Sequence, residues 1–311
     1  MYASKQWKMM GTLIDLWIDS DLYCEEIFKN ITEGLVLSNQ RFSANQSNSE
    51  LMQLNQQAGR RPVKVSADLF SLIALGKKHS LAQPSQLNIA IGPLVKLWRI
   101  GFKEAKVPSP NEIFLTLPLL NCEHIVLNEA EQTVFLTQKG MEIDLGALAK
   151  GYIADYLIAQ LKPICRSAMI NLGGNFLVYG PNPKRANDHW YVGIQDPKKK
   201  RHHHLGILEV ANQSVVTSGI YERFFTLNDK RYHHILDART GFPIESDMAS
   251  ITIVANDSLA CEIWTSRLFG LEIHEALQIL EQLPGVEGLI IDLSNQVYLS
   301  SGLQPFYYPN I

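Results

Sequence analysis

The segment Arg231–Gly241, RYHHILDARTG, holds residues suited to acid–base chemistry. Neighbouring side chains of a strand point to opposite faces, so the adjacent His233 and His234 cannot share one role. We expect one imidazole to be solvated. The other, near Asp237 and Arg239, could act as a general base because unperturbed imidazole titrates near neutral pH.

A second segment, Ile143–Gly151 with the sequence IDLGALAKG, is suited to phosphate binding. Asp144 is followed by small residues, and Lys150 lies at the predicted start of a helix. The unpaired N–H groups and the dipole of a helix start attract an anion. A plain strand-to-helix turn explains the same residues, so both interpretations stay open.

A glycine pair follows a short apolar run in Ile170–Asn175, INLGGN. Gly173 and Gly174 allow either a tight hairpin turn or close approach of backbone to a ligand. Asn171 and Asn175 could then bond to main chain or to substrate. The residues alone do not separate a hairpin from a binding loop.

Hydroxyl groups and a guanidinium occur together in Val215–Phe225, VVTSGIYERFF. Thr217, Ser218 and the N–H of Gly219 precede Arg223, whose planar fork of donors suits a phosphate or a ribose. The alternative is a turn with an arginine on the surface.

Two oxygen-bearing side chains share one face of the predicted helix near the C-terminus. Glu262 and Ser266 are four residues apart, and carboxylate and hydroxyl oxygens suit a hard cation such as Mg²⁺. An ordinary polar stripe on a helix is the competing interpretation.

Strands and helices alternate irregularly, which favours an α+β protein with mixed or antiparallel sheets. Periodicity predicts strands at Thr12–Asp19, Thr133–Leu136, Ala168–Leu172, Trp190–Gln195, Leu208–Val210, Ser250–Val254 and Gly288–Asp292. Helices are predicted at Asp21–Leu37, after Ser66, at Asp144–Leu161, at Ser258–Phe269 with Asp257 as its cap, and at Ile273–Leu283.

The composition of the chain limits the classes of protein to which it can belong. The chain has 311 residues, 46% of them hydrophobic, and no linker, so we expect one domain over residues 1–311. The net charge of −3 gives no general attraction to nucleic acid. Lys198–His204, KKKRHHH, is expected to be a solvated loop, with metal binding as its alternative. The cysteines form no CxxC pair and no signal or anchor is evident, which predicts a cytoplasmic location.

Taken together and in order, these segments resemble the ApbE family, the FAD:protein FMN transferases. The motifs that carry the resemblance are Met10-Gly11-Thr12, SNSELMQLN at 47–55, NIAIGPLVKLWRIGF at 88–102, IDLGALAKG, INLGGN, VVTSGIYERFF, HHILDARTGFP and the helix at Glu262. They extend over most of the chain. The resemblance implies a T-fold-related α+β domain with a central flavin cleft.

It also implies an activity: Mg²⁺-dependent transfer of FMN from FAD to a Thr or Ser hydroxyl of a target flavoprotein, with release of AMP. His234 would be the base. The metal ligands would be the carbonyl of Ala147 and the side chains of Glu262 and Ser266. The flavin-binding positions would be Met10, Asn45, Asn88, Asp144, Lys150, Asn171, Gly173, Gly174, Thr217, Ser218, Gly219, Arg223 and Asp237.

Several positions depart from the family pattern. Glu262 and Ser266 stand where Asp and Thr are usual, and Asn45 stands where a tyrosine lines the flavin site. Asn88 replaces an aspartate, and Ala238 replaces a proline. These departures keep open an FAD-binding protein without catalysis. An FAD pyrophosphatase, in which water replaces the protein hydroxyl, also stays open because it needs the same cation and leaving group.

Overall fold

The computed structural model describes residues 2–310. The α helices in this range are α1 Cys24–Phe42, α2 Glu50–Asn55, α3 Ala67–Leu81, α4 Gly92–Trp98, α5 Pro110–Thr116, α6 Ala149–Leu161, α7 Ser258–Leu268 and α8 Ile273–Leu280. The strands are β1 Tyr2–Met9, β2 Thr12–Asp19, β3 Val63–Lys64, β4 Ile125–Asn128, β5 Thr133–Leu136, β6 Ser167–Leu172, β7 Asn175–Tyr179, β8 Trp190–Gln195, β9 His204–Val210, β10 Ser214–Gly219, β11 Phe224–Leu227, β12 Lys230–His233, β13 Met248–Ala255, β14 Val286–Asp292, β15 Val297–Leu299 and β16 Tyr307–Pro309.

An eight-stranded antiparallel sheet organises the fold, in the order β1-β2-β6-β7-β10-β13-β14-β15. Smaller antiparallel sheets are formed by β16-β9-β8, by β3-β5-β4 and by β11-β12. Together with the packed helices they confirm the α+β prediction.

Both faces of the large sheet are covered. Val216 and Ile253 pack in a cluster with α7 and α8, whereas their neighbours Val215 and Val254 pack against the sheet β16-β9-β8. The alternation of side chains along a strand explains why β10 and β13 are apolar on both faces. This double burial fixes the positions of the strand ends that carry candidate site residues.

Helices α6 and α7 lie side by side on the large sheet, α6 against β6 and β7 and α7 against β10 and β13. Gly151 makes this close contact possible. A Cβ atom at that position would be 2.7 Å from the carbonyl oxygen of Ser258 and 2.8 Å from the Cα atom of Leu259. The absence of a side chain thus brings the two helix starts together.

Some predicted boundaries were wrong. Helix α6 begins at Ala149 and not at Asp144, because residues 144–148 form an extended segment and a turn. Thr217–Gly219 are the last residues of β10, paired with β13, and do not form a turn. Helix α1 starts later and ends later than predicted, at Phe42.

The small sheet β11-β12 is a two-stranded ribbon. The rings of Phe225 and Tyr232 stack with centroids 5.3 Å apart, and Tyr232 also lies 5.6 Å from Trp98. Trp98 is buried, and its indole nitrogen donates to the carbonyl of Gly241 at 2.8 Å. The ribbon is therefore attached to the rest of the molecule through the aromatic side chains on one of its faces.

Two surface properties bear on the class of protein. Residues 198–203 are exposed and join β8 to β9, in agreement with the solvated-loop prediction, whereas the exposed His204 is the first residue of β9. Between residues 2 and 310 no helix combines the length and the apolar character needed to cross a bilayer.

Candidate active site

Two charged residues from distant motifs meet where α6 and α7 pack together, Lys150 at the start of α6 and Glu262 in the second turn of α7. The ammonium nitrogen of Lys150 lies 3.2 Å from Oε1 of Glu262. The Glu262 side chain is only 4% exposed, so its charge depends on fixed partners. The Lys150 side chain is 34% exposed and faces the surface at the same point.

Asn175 supplies a second partner to the same carboxylate. Its amide nitrogen donates to Oε1 of Glu262 at 2.9 Å, and its amide oxygen accepts from the Ser258 hydroxyl at 2.6 Å. Both Asn175 and Ser258 are fully buried. These hydrogen bonds hold the Glu262 carboxylate in one orientation, because a buried polar group that turned away would lose its partner.

The start of α7 is capped from another helix. The carboxylate of Asp155, on α6, accepts the backbone N–H groups of Ser258 and Leu259, each at 2.8 Å. Burial raises the pKa of Asp155 to about 6, although the two N–H groups act in the opposite direction. Asp257 occupies the N-cap position without a side-chain bond to the helix, so its predicted capping role was wrong.

Asp144 and Ala147 lie in the turn that leads into α6. Oδ1 of Asp144 accepts the N–H of Gly146 at 2.7 Å, and burial raises the pKa of the Asp144 carboxyl. The carbonyl of Ala147 accepts no backbone hydrogen bond from any of the residues 2–310. This oxygen is therefore available to a ligand, as are the exposed N–H groups of a helix start.

The two histidines point to opposite sides, as predicted, but neither is simply solvated. His233 is buried, with Nε2 located 3.1 Å from the carbonyl oxygen of Ile244. The expected solvated histidine was therefore wrong, because this strand has an interior on its far side. His234 is half-buried, and its Nδ1 lies 3.2 Å from the carbonyl oxygen of Arg223.

The pKa of His234 is shifted strongly. Burial lowers it to about 4, and the positive charges of Arg223, His233 and Lys150 act in the same direction, against the bond to the Arg223 carbonyl. The imidazole is neutral at pH 7 and can accept a proton. The effect of Lys150 on His234 also connects the histidine segment with the start of α6.

The side chain of Arg223 passes close to two glycines. Its Cδ atom would be 3.2 Å from a Cβ atom on Gly101, and its terminal nitrogen 4.0 Å from a Cβ atom on Gly11. Gly11 follows Met10 in the turn between β1 and β2. The arginine therefore brings the Met10 turn to the histidine segment.

The glycine pair also reaches the Met10 turn. Gly173 and Gly174 have φ angles of 61° and 96° and join β6 to β7, so the hairpin interpretation is confirmed. A Cβ atom on Gly173 would be 2.0 Å from the hydroxyl of Thr12. Asn171 accepts the N–H of Gly174 at 2.9 Å and so stabilises the turn.

The ends of β10 and α7 supply the remaining hydroxyl groups. Thr217 and Thr252 share a hydrogen bond of 2.8 Å between paired strands, and Ser218 is half-buried next to it. Ser266 lies one turn after Glu262 and is half-buried.

Three predicted residues have other local partners. Asn45 is exposed, and its backbone N–H bonds to the Ser43 hydroxyl. Asn88 donates to the Leu120 carbonyl and accepts from the N–H of Ala90, both at 2.8 Å. The Asp237 carboxylate holds the side chain of Arg239 at 3.0 Å. For Asp237, burial alone would raise the pKa, but these bonds lower it.

The donor set fits Mg²⁺ in type. Glu262, Ser266 and the Ala147 carbonyl are all hard oxygen ligands. No group of three or more His, Cys, Asp and Glu side chains that could hold a metal occurs within the described range 2–310. A cation here would need backbone and hydroxyl oxygens, and phosphate oxygens of a substrate, to complete its shell.

Two surface cavities, of about 470 and 350 Å³, lie elsewhere. One is lined by residues of the β16-β9-β8 sheet such as Tyr191 and Tyr308, and the other by Trp17 and Trp190. Neither includes a predicted site residue, so the position of the flavin remains a prediction.

Comparison with known proteins places this arrangement in a family. Residues 10–290 match the model of the ApbE family. The FAD:protein FMN transferase of Klebsiella pneumoniae (strain 342) is 42% identical over 296 residues, which cover 94% of this chain and 90% of that protein. The FAD:protein FMN transferase of Treponema pallidum (strain Nichols) is 36% identical over 310 residues, covering 95% and 86%.

Solved structures agree on the fold. The ApbE protein of Thermotoga maritima superimposes with a TM-score of 0.90 at 25% identity, covering 98% of this chain and 99% of that one. The flavin transferase ApbE of Vibrio cholerae has a TM-score of 0.84 at 22% identity, covering 98% and 100%. The chain belongs to the ApbE family.

Proposed function

We propose that this protein is a Mg²⁺-dependent FAD:protein FMN transferase that attaches FMN to a Thr or Ser hydroxyl of a target flavoprotein and releases AMP. The observation that supports this most directly is the contact of Lys150 with Glu262 in a member of the ApbE family. It joins a helix start suited to phosphate with an acidic residue suited to a cation.

The reaction exchanges the phosphoanhydride bond of FAD for a phosphoester bond to the acceptor. The acceptor hydroxyl oxygen bonds to the FMN phosphorus of FAD, its proton passes to His234, and the bond from that phosphorus to the bridging oxygen breaks. AMP leaves with the bridging oxygen. A neutral imidazole at pH 7 is in the protonation state that this role requires.

The other roles are proposed from the family resemblance. Lys150 and the N–H groups at the start of α6 would bind the pyrophosphate, with Asp144 and Arg223 beside it. Met10, the Asn171–Gly174 turn and Thr217–Gly219 would line the flavin site, to which Asn45, Asn88 and Asp237 would add outer positions. Glu262, Ser266 and the Ala147 carbonyl would hold Mg²⁺, which when bound neutralises the charge that develops on the phosphates.

The single domain predicted over residues 1–311 would carry the whole reaction. Free thiols at Cys24, Cys122, Cys165 and Cys261 are compatible with the proposed cytoplasmic location. We therefore propose cytoplasmic flavoproteins as acceptors.

Intact-protein mass spectrometry tests the proposal. Candidate acceptor domains are incubated with the protein, FAD and Mg²⁺, with His234→Ala and a chelator as controls. The expected result is a mass gain of one FMN on a Thr or Ser, lost in both controls. Free FMN with unmodified acceptor would indicate a pyrophosphatase, and bound FAD without AMP release would indicate a binding protein.

A further inference from the structure

The β11-β12 ribbon begins and ends at residues proposed to take part in catalysis. Strand β11 starts one residue after Arg223, and β12 ends one residue before His234. The backbone N–H of His234 donates to the carbonyl of Arg223 at 3.1 Å, so this pair closes the base of the ribbon. An extended segment that pairs with β11 would therefore have one end beside the Arg223–His234 pair.

One side of the ribbon is anchored and the other is open. The stack of Phe225, Tyr232 and Trp98 holds the inner side. On the other, His233 is buried at the base of the ribbon, but its partner Phe224 is 41% exposed and Thr226 is exposed as well. An exposed phenylalanine on a two-stranded ribbon offers apolar contact area to a partner.

The open side carries positive charge. The guanidinium of Arg231 lies 4.2 Å from the centre of the Phe224 ring. Between residues 2 and 310 no carboxylate lies within 4.0 Å of the side-chain nitrogens of Arg231 or Arg223. Both guanidiniums can therefore bind an incoming carboxylate.

The outer edge of β11 has unpaired backbone groups. Because Arg223 and His234 form a hydrogen-bonded pair, the alternation of an antiparallel ladder directs the N–H and C=O groups of Phe224 and Thr226 outward. Within the described part of the chain no third strand joins the ribbon, and these groups make no backbone hydrogen bond. Such an edge can accept an extended peptide.

We propose that the β11 edge is the docking site for the acceptor protein. An extended, acidic segment of the acceptor adds as a third strand beside Phe224 and Thr226, and its carboxylate binds Arg231. Its Thr or Ser hydroxyl is thereby delivered to His234. This inference rests on the proposed transferase function and specifies how that site selects its protein substrate.

Two variants test the docking site. Thr226→Pro removes an outward N–H and blocks strand addition, a change that edge strands tolerate. Arg231→Glu reverses the charge on the open side. Lys200→Glu, in the exposed loop between β8 and β9, is the matched control for charge. KM and kcat are measured with the acceptor domain identified by mass spectrometry, and FAD affinity is measured by flavin fluorescence.

Each ribbon variant should raise KM for the acceptor by about tenfold or more. Arg231→Glu places a negative charge against the acidic segment and Thr226→Pro removes an edge hydrogen bond, so both changes act at the docking step. Both should leave kcat, FAD affinity and the unfolding midpoint at their wild-type values. With the Arg231→Glu variant, an acceptor that has Lys in place of the acidic residue should restore the lower KM.

Wild-type KM in Arg231→Glu, with no recovery by the altered acceptor, would overturn the docking site while the active wild type preserves the proposed function. A wild-type protein that binds FAD but modifies no acceptor domain would overturn both. Should Thr226→Pro fail to fold, the charge exchange between Arg231→Glu and the altered acceptor decides the matter alone.

Discussion

The ammonium nitrogen of Lys150 is 3.2 Å from Oε1 of Glu262, and that oxygen also accepts the amide of Asn175. The carboxylate is thus held by one cation and one neutral donor in a nearly closed environment. A charge this deeply placed is stable only while both partners remain. The pair is therefore expected to make a measurable contribution to folding.

Lys150→Met should destabilise the fold by about 1–2 kcal/mol, less than for a fully buried pair because the lysine is partly exposed. Urea unfolding at pH 7 in chelator measures this. Glu262→Gln in the same background should recover part of the loss, since it removes the unpaired charge. Equal stability of wild type and Lys150→Met would show that Glu262 does not depend on the lysine.

Asn175→Ala should cost about 1–3 kcal/mol, because it leaves the buried Ser258 hydroxyl without a partner and Oε1 of Glu262 with Lys150 alone. It should also weaken Mg²⁺ binding by about tenfold through the loss of carboxylate orientation. Urea unfolding and isothermal titration calorimetry measure the two effects. Asn48→Ala, at an exposed position, is the control and should change neither.

Glu262→Gln should weaken Mg²⁺ binding at least tenfold, because a neutral amide oxygen is a poorer ligand for a hard cation than a carboxylate. Calorimetry with Mg²⁺ in the presence of FAD measures the change. Glu262→Asp, which restores the usual family residue, should retain binding. An unchanged affinity in Glu262→Gln would place the metal elsewhere.

Gly151→Ala should destabilise the protein by about 1–3 kcal/mol, since the new methyl group would overlap the backbone of α7. Gly34→Ala in α1 is the matched control, because its nearest neighbour is the flexible end of Leu157, at 3.1 Å. Thermal unfolding compares the two variants. A loss confined to Gly34→Ala would contradict the close approach of α6 and α7.

The pH dependence should reflect His234. Its pKa of about 4 lies below the ordinary 6.5, so the unfolded chain takes up a proton first and stability falls as pH drops from 6.5 toward 4. The acid limb of kcat/KM should likewise lie well below pH 6.5. Rates from pH 4.5 to 8 measure it, and a limb centred at 6.5 would contradict the buried, neutral imidazole.

Regular local patterns were predicted well. Thr12–Asp19, Thr133–Leu136 and Trp190–Gln195 match their strands, because alternation and β-branched residues reflect burial on a sheet. Strand β1 was missed: it lies at the sheet edge, and of its side chains only Trp7 is buried. An edge strand with one buried residue has little periodicity to read.

The site was predicted in part. The motifs singled out Lys150 and Glu262, which lie in contact, and Asn175 was expected to bond main chain or substrate. The bond of Asn175 to Glu262 was not predicted, and Asp155 was not singled out. Their roles arise from contacts with α7, which neighbouring residues do not reveal. In the same way, the burial of His233 depends on Ile244, which lies beyond a turn of the chain.

The contact between His234 and the Arg223 carbonyl determines which ring nitrogen can react. A carbonyl oxygen only accepts, so the neutral imidazole must carry its hydrogen on Nδ1. The lone pair is then on Nε2, at the far end of the ring. The backbone of Arg223 thereby selects a single tautomer, which is set by the main chain and is independent of the identity of the side chain at position 223.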